Sequence, residues 1–450
     1  RVNFVGTTAV DDEVLRREVR QLEGSYLSNS LAERSKERLQ RLPYIEKVEF
    51  ESKPVPGTPD LVDVDYTIKD GLPGQFSGGI GYSASQSVIL NGSFVHSNFM
   101  GSGQRVALEL QGGQYAKVYS FSHTDPYTNI DGVSRSIGLQ HRDVTQFVSA
   151  ASDFSTKTQQ ASLEFGYPVS EYQSVRLGLV GQQSDLLTNP SNSAAQAVDW
   201  VRNNGNVYER VIPPSIPGGI PTVIFGSKFR TFELVAGWAF DSRNRAIFAD
   251  RGMRHSLSAS IAAPGSDVQY YVLNYEFLKL IPVWGQWTVA LGGELGYGEA
   301  MGDTTALPPY RNFFAGGPET VRGYAESRLG PKDSYGNPYG GNMKVNGRAE
   351  LIFPVPAKWR ASTRISAFFD IGNVFSTEGI PFYGPDGTTP ASYDFDYNEL
   401  KQSAGIAVQW LAPLGIFRFS YGIPLNANKG SAGVYKDETE SFQFTVGSAF

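Results

Sequence analysis

At 450 residues the chain is longer than a single core usually allows, so either several domains or one very large closed sheet is expected. Gly 49, Phe 28 and Tyr 23 against Met 4 is a turn-rich, aromatic, β-forming profile, and the lack of cysteine with only four histidines excludes a disulfide scaffold and Cys-based metal sites. A net charge of −6 with both signs interleaved leaves no basic stripe for nucleic acid; a mean hydropathy of −0.26 with no run of about 18 apolar residues excludes a transmembrane helix, but not a membrane barrel, which meets lipid only with every second side chain.

Residues 1–70 read as a small α+β module in the order β-α-α-β-β. "VNFVG" is a short strand. Thr8 with Asp11 three residues on predicts a capped helix whose Leu15, Val19 and Leu22 share a face and which Gly24 ends. Ser30 with Glu33 predicts a second cap and a helix carrying Leu31, Leu39 and Leu42. Val48 and Phe50 then alternate with acids, and Val62, Val64, Tyr66 and Ile68 form one apolar face. The opening "RVNFVG" carries no signal peptide, so a mature product or a trimmed piece is expected.

From about residue 75 to the end, alternation replaces the helical period. Sixteen candidate strands run from about 75–83 and 87–96 through to 414–422 and 440–450, and an even number is what a closed antiparallel membrane barrel needs. Connections such as "DPYTNIDG", "PVSE" and "PVWG" are short, whereas 143–155, 185–227, 299–343, 372–401 and 423–439 are long. Tight turns on one rim and long loops on the other is the asymmetry of outer-membrane barrels, although a soluble β fold is not excluded by it.

The first barrel strand, "GQFSGGIGYS", contains Gln75, Phe76, Gly78, Gly79 and Gly81, and glycine weakens a strand through entropy and lost packing unless it serves curvature. In "KVNGRAELIF" and "ASTRISAFFDI", Glu350 and Asp370 fall on the charged face, which belongs inside because a charge facing lipid at the midplane costs about 2–4 kcal/mol. In the last strand Phe442, Phe444 and Phe450 point outward and Gly447 interrupts the run. The longest loop, 299–343, has at its centre "GGPETVRGYAES". Its paired glycines, the Arg322 fork and Gly323 are what a loop folded against a wall requires, while a solvated surface loop stays equally open.

"FFAGGPETVRGYAESRLGPKD" resembles the VRG(F/Y) loop of the outer-membrane protein assembly factor family, the BamA-type insertases and their organellar relatives. "DPYTNIDGVS", "DSRNRAIFADRG" and "FQFTVGSAF" are similar to the family at the corresponding places, and residues 1–70 resemble the barrel-proximal POTRA (polypeptide-transport-associated) module. Family members carry five such modules after a signal peptide, so the resemblance implies a chain truncated to the last one.

The resemblance implies an all-β membrane protein: a 16-stranded barrel over 75–450, in the bacterial outer membrane, behind a periplasmic POTRA domain over 1–70. It places the loop motif Val321, Arg322, Gly323 and Tyr324 inside the lumen, held by Glu350 and Asp370. It makes Gln75, Phe76, Gly78, Gly79 and Gly81 on one side, and Phe442, Phe444, Gly447 and Phe450 on the other, a lateral gate through which client barrels are folded and inserted. The implied partners are unfolded outer-membrane proteins, the bilayer, periplasmic chaperones and accessory lipoproteins, one of which meets Arg16, Arg20 and Glu23 unless these are a solvated helix face. No cofactor or metal is implied.

Two other classes stay open. A two-partner-secretion porin or related POTRA-barrel translocator shares the plan but exports a passenger through the lumen. A barrel enzyme is disfavoured because His96, His123, His141 and His255 stand in no G-x-S-x-G or H-E-x-x-H context, and no G-x-x-x-x-G-K-[ST] is present.

Overall fold

The computed structural model describes every residue except 59, 84–86, 114–115, 150–151, 191–192, 213–220, 246, 361, 413–414 and 448–450. At the N-terminus β1 (Val2–Val5) runs parallel to β3 (Val62–Asp70), which pairs antiparallel on its other side with β2 (Ile45–Pro54). Helices α1 (Asp12–Glu18) and α2 (Asn29–Gln40) pack on this sheet, burying Leu15, Leu39, Val48, Val64, Tyr66 and Ile68 in one cluster.

The order of elements follows the periodicity; the caps differ from it. Ser28, not Ser30, is the N-cap of α2, its hydroxyl accepting from the Leu31 amide at 3.4 Å. The Asp11 side chain makes no cap bond to α1, and the helix stops at Glu18 because Val19 is already extended, leaving Leu22 exposed. A tertiary contact accounts for the early stop: the Ser35 hydroxyl of α2 accepts from the amides of Arg20 at 2.8 Å and Gln21 at 3.3 Å, replacing the helical acceptors.

Beyond residue 73 nearly every element is a strand: β4 (Gly74–Ser83), β5 (Ser87–Phe99), β6 (Gln104–Gly113), β7 (Ala116–Asp125), β8 (Ser134–Ser149), β9 (Ser152–Pro168) and β10 (Gln173–Thr188). Then come α3 (Ala195–Asn203), β11 (Asn206–Ile212), β12 (Thr222–Asp241), β13 (Gly252–Ala262), β14 (Tyr270–Trp284), β15 (Trp287–Ala300) and the two-residue β16 (Gly323–Tyr324). The chain ends with β17 (Met343–Ile352), β18 (Thr363–Phe375), the short β19 (Phe382–Tyr383) and β20 (Pro390–Ala391), β21 (Lys401–Ala412), β22 (Gly415–Pro424), the short β23 (Thr439–Glu440) and β24 (Phe442–Gly447).

In hydrogen-bonding order β4 to β24 form one closed sheet of sixteen antiparallel staves. β11 is not a stave. It pairs with the start of β12, from Ile212 opposite Thr222 to Asn206 opposite Lys228, while β10 pairs β12 directly from Thr188 opposite Phe225 to Gln173 opposite Phe240. Thus 185–227, expected to be a loop, holds a helix and the outer arm of a hairpin, since "NVYERVI" alternates and Trp200 and Val201 of α3 have a core to enter.

Burial along the staves is inverted relative to a water-soluble fold. On β12 Thr231 and Glu233 are 0% and 3% exposed, whereas Phe232 and Leu234, alternating with them, are 52% and 51% exposed. An apolar outside and a polar inside, alternating residue by residue, is how strands sit in lipid. Two of the histidines meet side chains of the sheet: His255 Nδ1 is 2.7 Å from the Tyr275 hydroxyl, and His123 is 2.8 Å from Gln104 Oε1.

By contact the chain forms two compact units, Arg1–Gly78 with Gly92–Leu110 and Ser120–Leu139, and Gly79–Asn91 with Gln111–Tyr119 and Gln140–Phe450. Within the first, Asn98 Nδ2 donates to the Ala9 carbonyl (2.7 Å), the Asp11 amide to the Gly101 carbonyl (3.0 Å), and the Tyr127 hydroxyl to Glu18 (2.8 Å), which also takes Arg38 at 2.7 Å.

Within the second unit the long connections share a core of Leu186, Trp200, Phe229, Tyr270, Leu307, Tyr339 and Phe382. Beside it Glu378 accepts from the amides of Ala300 (3.1 Å) and Leu307 (2.8 Å). Burial, only partly offset by these two bonds, pushes its pKa up to about 7. The folded loops therefore bind a proton more readily than the unfolded chain, so this contribution to their stability is present at low pH and is lost as pH rises from the ordinary carboxylate range through about 7. Hydrogen exchange at Ala300 and Leu307, corrected for its intrinsic pH dependence, should be faster at pH 8 than at pH 5.5, and Glu378→Gln should abolish the difference; equal protection at both pH values in the native chain contradicts this.

Candidate functional site

Closing a sheet brings its first and last staves together, and the strength of that junction is set by how many backbone groups come into register. β24 pairs fully with β22 on one side, from Ile416 opposite Gly447 to Tyr421 opposite Phe442. On its other side, among the described residues, only Val446 stands in register with Tyr82 of β4. The glycine-rich stretch lies on this side. Gln75, Phe76 and Gly78 are exposed, a Cβ at Gly79 would touch nothing, and one at Gly81 would meet the Val446 carbonyl at 3.6 Å. On the last stave Phe442 is exposed, Phe444 stacks on Phe419 with ring centres 5.0 Å apart, and Gly447 pairs with Ile416; Phe450 lies outside the described residues.

The central segment of the long loop is folded against the staves. Gly316 and Gly317 have φ of 100° and 97°, and a Cβ on Gly316 would sit 2.4 Å from the Ala325 carbonyl, which is why glycine is needed where the loop doubles back. Arg322, 4% exposed, meets Asp370 through Nε and NH2, both at 2.7 Å, and through its own backbone amide at 3.1 Å. Its remaining NH1 reaches Glu350 Oε1 at 2.7 Å, and its guanidinium lies 3.6 Å above the Phe368 ring.

Register explains the convergence. Arg348 faces Asp370 and Glu350 faces Phe368, so the two acids sit diagonally on one face with the ring between them. Two carboxylates and an aromatic floor hold the guanidinium by its edge and its face. Val321 and Tyr324 are buried with Ala315, Leu329 and Val374. Gly323, at φ 87°, passes so close to β22 that a Cβ would lie 3.1 Å from the Gly422 backbone. Glu319, at the tip, accepts from Arg348 and pairs with Arg418.

Sequence reasoning missed a second anchor of the same loop. Arg311 pairs with the buried Glu233 of β12 at 2.5 Å and donates to the Tyr270 hydroxyl at 3.1 Å, while that hydroxyl donates to Glu233 at 2.7 Å. Glu233 carried the signal that exposed Glu350 and Asp370, an acid at an inward position of an apolar-outward strand. Its partner could not be read, since nothing local shows where a loop arginine will land.

Of the three N-terminal residues singled out, Arg16 and Glu23 are committed to each other at 3.3 Å; Glu23 also accepts from the Val2 amide at 2.8 Å, and Arg16 also pairs with Asp12. The backbone bond from Val2, then the Arg16 pairing, hold the Glu23 carboxyl below its ordinary pKa. Arg20 is exposed and its guanidinium donates only to nearby carbonyls, Arg17 at 3.0 Å and Val19 at 3.4 Å. Among the described residues no group of three or more His, Cys, Asp or Glu could hold a metal ion.

Residues 98–450 match the Omp85 superfamily domain, and residues 1–71 match the POTRA family described as a surface antigen variable number repeat. The chain is 32% identical to the outer membrane protein assembly factor BamA of Neisseria meningitidis serogroup B, over 100% of its own length and 56% of the relative's. It is 24% identical to the BamA of Nitratidesulfovibrio vulgaris, over 100% and 51%. It therefore spans about half the length of these curated relatives. The crystal structure of BamA from Haemophilus ducreyi lacking POTRA domains 1–3 superposes with a TM-score of 0.80 at 31% identity, covering 99% of this chain and 83% of that one. CdiB from Acinetobacter baumannii has a TM-score of 0.56 at 10% identity, over 99% and 73%, and shares the fold alone.

A buried ion pair contributes little net stability, but removing one partner strands the others. Arg322→Met should cost about 3–5 kcal/mol, seen as a lower heat-modification midpoint of the reconstituted barrel, because Asp370 and Glu350 are left buried together. Arg322→Met combined with Asp370→Asn and Glu350→Gln should recover most of that loss; a triple variant as damaged as the single one contradicts the account.

Proposed function

The chain belongs to the Omp85 superfamily, on its BamA branch, and from that premise we propose that it folds client β-barrel proteins and inserts them into the bacterial outer membrane through the β4–β24 seam. The observation that carries this is the seam itself, where the glycine-rich first stave meets the last one at Tyr82 and Val446. An edge at membrane depth presents N–H and C=O groups that lipid cannot satisfy and a client strand can. Client strands would add to β4, whose glycines leave their backbone accessible, and no cofactor is needed. Gln75, Phe76, Gly78, Gly79 and Gly81 form the receiving edge, with Phe442, Phe444, Gly447 and Phe450 on the departing one.

Residues 1–70 are then the periplasmic POTRA module, offering strand edges to unfolded clients and their chaperones, and residues 75–450 the barrel. In that frame loop 299–343 folds into the lumen with Arg322 as its latch on Glu350 and Asp370. Arg16, Arg20 and Glu23 mark the surface for an accessory lipoprotein, with Arg20 the residue free to bind and the Arg16–Glu23 pair shaping the face around it. Export through the lumen, as in the translocator alternative, would require breaking both the Arg311 and the Arg322 anchors.

The test is to lock the seam. In liposomes, Tyr82→Cys with Val446→Cys, oxidised, should halt the folding of added unfolded porin to its protease-resistant form, and reduction should restore it. Unimpaired folding with the disulfide formed would overturn the proposal in favour of a route that leaves the seam closed.

A further inference from the structure

Besides its backbone pairing, β24 has a hold on its inward face. Gln443 is 3% exposed and points into the loop, away from the outward Phe442 and half-buried Phe444. The Gly323 amide donates to Gln443 Oε1 at 3.2 Å, and Gln443 Nε2 donates to the Tyr324 carbonyl at 2.7 Å. A side-chain amide here takes the place of a peptide group, capturing one donor and one acceptor from residues adjacent to Arg322. The chain leading into β24 is tied to the same place. Gly323 and Tyr324 pair with Glu440 and Thr439, the Ala325 amide donates to the Glu438 carbonyl at 2.9 Å, and the Gly422 amide donates to Ser441 at 2.8 Å.

We propose that Gln443 is a positioning residue that ties the last stave to the Arg322 loop and thereby sets how often the β4–β24 seam parts. The seam's backbone bonds run along the sheet, whereas this tie runs inward from it, so the two can be broken separately. For β24 to move from its place, two buried hydrogen bonds of one amide must go with no water to replace them, and that opposes parting. Removing the tie should raise the parted population by about tenfold, the factor that roughly one buried hydrogen bond represents. The consequence for clients rests on the insertase reading; the parting itself is a property of this chain alone.

The experiment measures spin-label distances in the full chain reconstituted in liposomes, with labels at Ile80 and Tyr421 across the seam and a control pair at Leu177 and Leu234 on β10 and β12. Gln443→Leu should raise the long-distance population across the seam about tenfold and leave the control pair unchanged. Gln443→Glu, which keeps the acceptor for Gly323 but lacks the donor for Tyr324, should fall between, and it decides the matter if the leucine variant fails to fold. An unchanged seam in folded variants, or equal broadening at the control pair, overturns the proposal. A parent protein that inserts no porin while Gln443→Leu still loosens the seam would remove the insertase reading and leave the tie standing.

Discussion

Every backbone N–H and C=O at membrane depth must find a partner within the protein, because lipid offers none. That constraint closes the sheet into sixteen staves, the first and last of which, β4 and β24, meet at Tyr82 and Val446. Staves such as β10 and β12 pair over long registers, whereas the line where β4 meets β24 is bordered by a glycine-rich stave. On the proposed reading, that line is where another strand enters.

The long loop is arranged around that line. Arg311 fixes it to Glu233 on β12, Arg322 fixes it to β17 and β18, and Gln443 joins it to β24. Buried ion pairs add little net energy, yet they specify position strongly, since an unpaired charge in a confined lumen is costly. On the proposed reading the loop is a strut between the wall and the last stave. Phe368 contributes without charge, its ring receiving the face of the same guanidinium whose edge the acids hold.

Much of this was legible in the sequence because a stave has a strict period of two. That period located the strands, assigned the faces, and brought Glu350 and Asp370 to one side before any coordinates. What it could not supply was register and tertiary choice. Phe368 and Phe369 are chemically alike, and only pairing shows that the first lies beneath Arg322. Gln443 is neutral, so no rule about buried charge marks it. Helix α1 ends where a serine of α2 takes its amides, and α3 with β11 arises in a stretch whose polarity reads as loop. The capping boxes misled by position: Ser28 rather than Ser30 caps α2, and Asp11 rather than Thr8 stands at the start of α1.

The most direct measurement is amide hydrogen exchange of the chain in lipid nanodiscs, comparing Gly78–Tyr82 at the seam with Leu177–Gly181 inside the sheet. The account predicts that the seam amides exchange orders of magnitude faster than those of β10, whose partners on both sides are in continuous register. Equal, near-complete protection of both stretches would show a fully zipped junction and contradict it.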